Sequence, residues 1–414
     1  MSGSRETERV ARAPWALVLL TLVYALNFAD RQLLSAALGQ VKAELGASDT
    51  QMGWLTGTAF AMFYTVAGIP LARLADRGAR WRLLSIALVA WSAFTSLSGL
   101  ARSYVQLACA RIGVGVGEAA CSPCAHSLIA DLYAPARRAT AIAVYSTGIY
   151  IGTYLAYDVG GELCKAYGWR TAFVAFGAPG AVLALVVWLT TREPQREAAA
   201  AAPATTLADL RELLSRPAFF HLALGAGIKS IAGYALLGWV PTFLARVHGF
   251  DSEQSGRWLG PILGLGGALG TFGGGWLADR LGRTDARRRL GSSALATVAA
   301  LPFLYAFLYL DDPELALVAY APAVVLGAMY LGPAFAFAQV EAKPEQRALA
   351  SAVLLFLINL IGLGLGPWLT GFLNDTFAAT QGEHAVRTSL AIVSLTYLWG
   401  ALHLAHAARL SRLR

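Results

Sequence analysis

The chain has 414 residues, of which 57% are hydrophobic and only 14% charged, whereas soluble proteins carry about 25% charged residues. That deficit excludes an ordinary water-soluble domain and implies a multi-pass membrane protein. The net charge of +8 does not point to nucleic acid, because the arginines lie in short loops between apolar runs, with no basic face of interleaved aromatics outside them.

The first apolar run covers Trp15 to Leu38, and about 20 residues suffice to cross a bilayer. Arg5, Arg9 and Arg12 precede it, as in a signal peptide. The run is too long for one, and Asn27, Asp30 and Arg31 interrupt the part that should be uncharged, so it reads as a retained first span. An ionised group at membrane depth costs roughly 2.5–3.5 kcal/mol on insertion scales. An adjacent acid and base are therefore expected to line a water-accessible cavity of a transporter.

Further spans are predicted at 51–72, 81–100, 104–126, 136–162, 169–190, 218–245, 253–277, 288–309, 314–338, 347–372 and 387–409, which makes twelve in all. Loops holding Arg73, Arg77, Arg80 and Arg82, then Arg137 and Arg138, then Arg280, Arg283 and Arg287 to Arg289, then Lys343 and Arg347, alternate with poorer, more acidic ones such as 311–314. The positive-inside rule makes the basic loops and both termini cytoplasmic, in a cell (inner) membrane.

Between the sixth and seventh spans, Thr191 to Arg216 is a mixed-charge, Ala/Pro-containing linker with a short amphipathic helix at Leu207–Leu214. It separates two six-span bundles, 1–190 and 217–414, so the expected class is an all-α membrane protein with pseudo-symmetric halves. The halves repeat: Gln51-Met52-Gly53 precedes Asp76-Arg77 by the interval that separates Gln254-Ser255-Gly256 from Asp279-Arg280. Pro135-Ala136-Arg137-Arg138-Ala139 is echoed by Pro344-Glu345-Gln346-Arg347-Ala348. Parallel six-span repeats build one large group of secondary transporters.

The two halves, with Leu277-Ala278-Asp279-Arg280-Leu281-Gly282-Arg283, resemble the major facilitator superfamily over nearly the whole chain. The first-half counterpart departs from that pattern, with Ala72 and Ala79 where Gly275 and Gly282 stand in the second half. Asn27-Phe28-Ala29-Asp30-Arg31 and Arg111-Ile112-Gly113-Val114-Gly115-Val116-Gly117-Glu118 are similar to the spinster branch, which is linked to lysophospholipid and sphingolipid export. The Asn-x-x-Asp-Arg stretch also looks like organic anion–proton symporters. The resemblance implies that Asp76 and Asp279, with Arg77, Arg80, Arg280 and Arg283, gate the cytoplasmic side.

Arg111 and Glu118 are seven residues apart in the fourth span and share a helix face, with Gly115 between them. Counting rises along antiparallel helices puts Asp30 in the outer third, level with Arg111, and Glu118 nearer the midplane. The expected arrangement pairs Asp30 with Arg111 and leaves Glu118 alone. Asp30 and Glu118 would load protons while Arg111 or Arg31 switches partner. Lys229, amid apolar sequence, is expected to face a cavity and meet an anionic group. Tyr234, Trp239, Phe243, Tyr330, Phe335 and Phe337 would form an apolar wall, and Asn359 is either a ligand contact or an interhelical hydrogen bond.

The reading is therefore a proton-coupled transporter of lysophospholipids or sphingolipid-like amphiphiles, or alternatively a symporter of sugar acids, acting as a monomer. Cys121-Ser122-Pro123-Cys124 lies in a span with no second Cys/His pair, so small-residue packing is preferred over metal or redox work. No cofactor other than protons, no catalytic group, no metal and no nucleic-acid partner is expected.

Overall fold

The structure, a computed structural model, describes residues 2–76, 78–194, 207–282 and 286–411. Arg77 and Arg283 lie outside the described residues, as does the side chain of Asp76. Among the described residues every regular element is helical.

The chain begins with α1 (Ser2–Leu45). It continues through α2 (Asp49–Gly53), a π turn at Trp54–Ala59 and α3 (Phe60–Asp76). After α4 (Arg80–Ser98) come α5 (Tyr104–Glu118) and α6 (Cys121–Leu132), which together make one pass broken at 119–120. The long α7 (Pro135–Thr190) holds two passes, divided at Gly168, where φ is 80°. Residues with a Cβ rarely adopt that conformation, so the glycine sets the boundary.

The short α8 (Leu207–Leu214) precedes α9 (Pro217–His248), α10 (Ser252–Leu281) and α11 (Ala286–Tyr309). One further pass is α12 (Pro313–Ala328) with α13 (Leu331–Glu341). Another joins α14 (Arg347–Leu357) to α15 (Gly364–Gln381) across a π turn at Ile358–Leu363. The last is α16 (Ala385–Ser394) with α17 (Thr396–Leu410).

Among the described residues, eight stretches are long and apolar enough to qualify as spans by composition. Two of them, Thr140–Thr190 and Leu349–Leu410, each contain two passes. The α5–α6 pass is broken into short helices and carries Arg111 and Glu118, and α10 is rich in glycine, so composition passes over both. The predicted twelve passes are thus all present among the described residues.

The first boundary moves, however. The α1 helix runs through Leu45, seven residues beyond the expected Leu38, and the added turns carry Gln40, Lys42 and Glu44.

The chain forms two compact units. The first takes the described residues of Met1–Ala47, Ala59–Ala202 and Ser252–Gly260; the second takes those of Ser48–Thr58, Pro203–Asp251 and Pro261–Arg414. Two short pieces thereby cross the expected division at the linker. In the second unit, Arg246 of α9 grips Asp49 with two hydrogen bonds of 2.5 and 2.8 Å. Asp375 of α15 accepts from the backbone amides of Asp49 and Thr50 at 3.1 and 2.8 Å, satisfying donors that a helix start leaves open. In the first unit, Lys165 pairs with Glu253 at 2.6 Å.

Within membrane bundles, association rests on close van der Waals packing rather than on the hydrophobic effect. The first unit packs α1 along α7, where Gly148 abuts the backbone of Thr21 and Ala25. The second unit packs α9 against α17 around Phe219, Leu222, Leu354 and Leu404, and α8 adds Leu213 to that cluster. The predicted amphipathic helix is therefore docked by its apolar side, while Leu207 remains exposed.

Candidate functional site

On α1, Asn27 and Arg31 are four residues apart and share one helix face. Nη2 of Arg31 donates to Oδ1 of Asn27 at 3.2 Å and to Oε2 of Glu118, at the end of α5, at 2.9 Å. The guanidinium lies 4.9, 4.4 and 5.1 Å from the ring centres of Phe28, Phe60 and Tyr64. Cation–π contacts of this kind strengthen as water is excluded. One turn before Glu118, a Cβ at position 115 would press on the Phe60 ring at 3.3 Å, so Gly115 is what admits Phe60 beside the pair. The side chain of Arg31 is 9% exposed and that of Glu118 is fully buried.

The expected partners are therefore exchanged. Glu118 does not stand alone but holds Arg31. Arg111 does not form an ion pair with Asp30 among the described residues; its Nη1 donates to the Asp30 backbone carbonyl at 3.2 Å. The Asp30 carboxyl is bordered by Trp91 and Thr95. Its Oδ1 is buried with no hydrogen-bond partner among the described residues. The reason is rotational: Asp30 and Arg31, as neighbours, project about 100° apart around the helix. Arg31 is the one that reaches α5 at the level of Glu118. Asp30 and Arg111 do not line open water in this structure, being 1% and 2% exposed, whereas Arg31 keeps partial access.

In the second unit Lys229 is likewise buried rather than facing a cavity. Its Nζ donates to the Gly327 carbonyl at 2.5 Å and lies 3.9 and 4.8 Å from the ring centres of Tyr330 and Tyr397. Among the described residues no carboxylate pairs with it. The Tyr330 hydroxyl is 2.9 Å from Oγ of Ser230. Tyr234 donates to Oδ1 of Asn359 at 3.1 Å, which gives Asn359 an interhelical hydrogen bond at a π turn. Trp239 and Phe243 are fully buried and Phe337 nearly so, which makes them core packing instead of an apolar wall.

Of the residues assigned to gating, Arg80 is fully buried and its guanidinium joins three elements. It contacts Asp131 at 2.6 Å, Glu193 at 2.6 Å and Oγ of Ser127 at 2.8 Å. Asp131 and Glu193 were not singled out in the sequence, where each reads as an ordinary charge at a span end. Asp279 and Arg280 are exposed at the end of α10, and Arg280 lies 5.5 Å from the Trp276 ring centre. Cys121, Cys124 and Cys164 are buried, Cys109 is exposed, and all four are free thiols.

Residues 20–402 match the family profile described as Major Facilitator Superfamily. The chain is 37% identical over 396 residues to an MFS-type efflux pump of Mycolicibacterium smegmatis, covering 94% of this chain and 92% of that protein. It is 26% identical over 388 residues to the hexuronate transporter of Bacillus subtilis, covering 91% of each. A bacterial homologue of the human lysosomal transporter Spinster, crystallised in an inward-facing and unoccupied conformation, superposes with a TM-score of 0.86 at 29% identity over 96% of this chain and 97% of that one. With twelve passes, a profile match over most of its length and relatives that are transporters rather than enzymes, the chain belongs to the Major Facilitator Superfamily.

Proposed function

We propose that the chain is a proton-coupled transporter of lysophospholipids or sphingolipid-like amphiphiles, working by alternating access as a monomer. The observation that carries this reading is the Arg31–Glu118 pair at 2.9 Å, its carboxylate fully buried and its guanidinium 9% exposed, beside a second buried carboxyl, Asp30. Intramembrane charges of this kind mark ion pathways more often than packing. A proton placed on Glu118 cancels one half of the pair and leaves Arg31 to an anionic group. Loss of that proton restores the pair and expels the anion. The rings of Phe28, Phe60 and Tyr64 put apolar surface directly against the cation, which suits a charged head with a hydrocarbon body.

Asp279 and Arg280, with Asp76, Arg77, Arg80 and Arg283, are assigned the gate on the basic-loop side, and both termini the cytoplasm. No cofactor beyond the coupling proton is invoked. Similarity to the Spinster homologue agrees with the branch resemblance from which the amphiphile is inferred. Similarity to the hexuronate transporter supports a second reading, a symporter of sugar acids in which Arg31 and Arg111 hold the carboxylate.

Proteoliposomes with an imposed pH gradient test both readings. Gradient-driven movement of lysophospholipids is expected, and it is lost in Glu118→Gln and in Asp30→Asn while both variants still insert. Hexuronate movement without lysolipid movement selects the second reading. Normal gradient-driven transport by both variants ends the coupling proposal.

A further inference from the structure

A groove of about 460 Å³ opens between the ends of α10, α11 and α12 in the second unit. Its floor is one face of α11, where Gly291, Ser292, Ala296 and Ala299 follow Arg288 at helical spacing. These small residues hollow the face, while Leu281, Leu295 and Leu326 form its walls. The one hydroxyl on the floor is already satisfied, because Oγ of Ser292 donates to the Arg289 carbonyl at 2.8 Å. The lining is thus hydrocarbon, with a single guanidinium at its mouth.

From Arg288 to Ala299 the helix rises about 16 Å at 1.5 Å per residue. That is close to half of a bilayer's hydrocarbon thickness of about 30 Å. Trp276, 63% exposed, and Arg280 stacked on it lie at the same end of the bundle, as does exposed Arg287. Aromatic and basic side chains collect at the headgroup level of a membrane. Basic clusters there favour anionic lipids by roughly 1 kcal/mol per side chain, about a fivefold effect.

We propose that this groove is a binding site for a diacyl phospholipid with an anionic headgroup, one acyl chain lying on the small-residue face of α11 and the phosphate held at Arg288. The site shares no residue with the Arg31–Glu118 pair and does not depend on what the protein transports. It assigns a role to a hollowed helix face that would otherwise leave apolar walls uncovered within a single leaflet.

The test uses the purified full-length protein in detergent, read by native mass spectrometry and thermal unfolding. Phosphatidylglycerol, phosphatidylcholine and soluble glycerol 3-phosphate are titrated separately. Phosphatidylglycerol is expected to bind about fivefold more tightly than phosphatidylcholine, and glycerol 3-phosphate not at all. Arg288→Gln should abolish the preference, Ala296→Phe should weaken both lipids by filling the groove, and Arg409→Gln, at an exposed arginine that does not line the groove, should change neither. Equal binding of the two lipids to the unaltered protein overturns the proposal. So does a preference that survives Arg288→Gln, or one that Arg409→Gln removes equally. Binding of glycerol 3-phosphate at the same strength reassigns the site to a free phosphate and overturns the lipid.

Discussion

In the first unit buried Arg31 faces the carboxylate of Glu118 at 2.9 Å, whereas in the second buried Lys229 rests on the Gly327 carbonyl at 2.5 Å with Tyr330 and Tyr397 beside it. Both cations are largely withdrawn from water, yet their partners differ in kind. A carboxylate can be switched off by a proton; a carbonyl and two aromatic faces cannot. The first arrangement can therefore free its cation by protonating the partner, whereas the second can change its charge only through the lysine itself. The second holds its charge by neutral acceptors, so losing the lysine strands one carbonyl rather than an ion.

The largest break in this comparison is expected from Glu118→Leu. It leaves Arg31 buried without its counter-ion, and removing one partner of a buried pair costs about 3–5 kcal/mol. Thermal unfolding in detergent should show the loss, and adding Arg31→Met should recover most of it, because the stranded charge is gone. Recovery by the double variant without recovery of gradient-driven transport would separate coupling from stability. A double variant no more stable than the single one contradicts the pairing.

A smaller effect is expected from Lys229→Met, which keeps much of the stem's packing and orphans the Gly327 carbonyl. An unsatisfied buried acceptor costs about 1–3 kcal/mol. If Lys229→Met destabilised as strongly as Glu118→Leu, the distinction between the two sites would fail.

Next comes Tyr234→Phe, which removes the hydrogen bond to Asn359 and should cost about 0.5–1.5 kcal/mol. A change larger than that of Lys229→Met would mean that the π turn, rather than the lysine, organises the second unit's interior.

The smallest expected change concerns a third kind of charge cluster, on the surface. Glu212 of α8 contacts Lys343 at 2.6 Å and Arg216 at 3.1 Å. Hydrogen bonds from Lys343 and then Arg216 hold its carboxyl below the usual glutamate range. The contribution of a carboxylate with a depressed value is complete above its unfolded value and fades as pH falls through the folded one. Hydrogen-exchange protection across 207–216, taken relative to the intrinsic exchange rate at each pH, should thus stay constant from neutrality down to about pH 4.3, the ordinary glutamate value, and fall only below it. A loss of protection already near neutrality would show that these contacts do not hold α8.

Much of the architecture was open to reading in the sequence because lipid imposes it. A backbone in hydrocarbon must satisfy its own hydrogen bonds, so each apolar run of spanning length becomes a helix. The repeated Asp-Arg turns and the linker then mark two halves. Gly168 set the break between the fifth and sixth passes through its own backbone conformation. The α2 start was less legible: residues 48–58 pack with the second unit through Arg246 and Asp375, more than a hundred positions away, and no local pattern announces that. Asp131 and Glu193, the partners of Arg80, were hidden for the same reason.

What the sequence determined by itself was which charges would lie inside the helical bundles: Asp30, Arg111, Glu118 and Lys229 are buried, and the side chain of Arg31 is 9% exposed. What only the tertiary structure decided was their pairing. Counting residues along a helix gives depth at about 1.5 Å per step, but a partner is chosen by rotation, at about 100° per step. A turn of one position gave Glu118 to Arg31 and left Arg111 with a backbone oxygen of Asp30, because a charge-assisted hydrogen bond needs its donor and acceptor within about 3 Å on facing sides of the two helices.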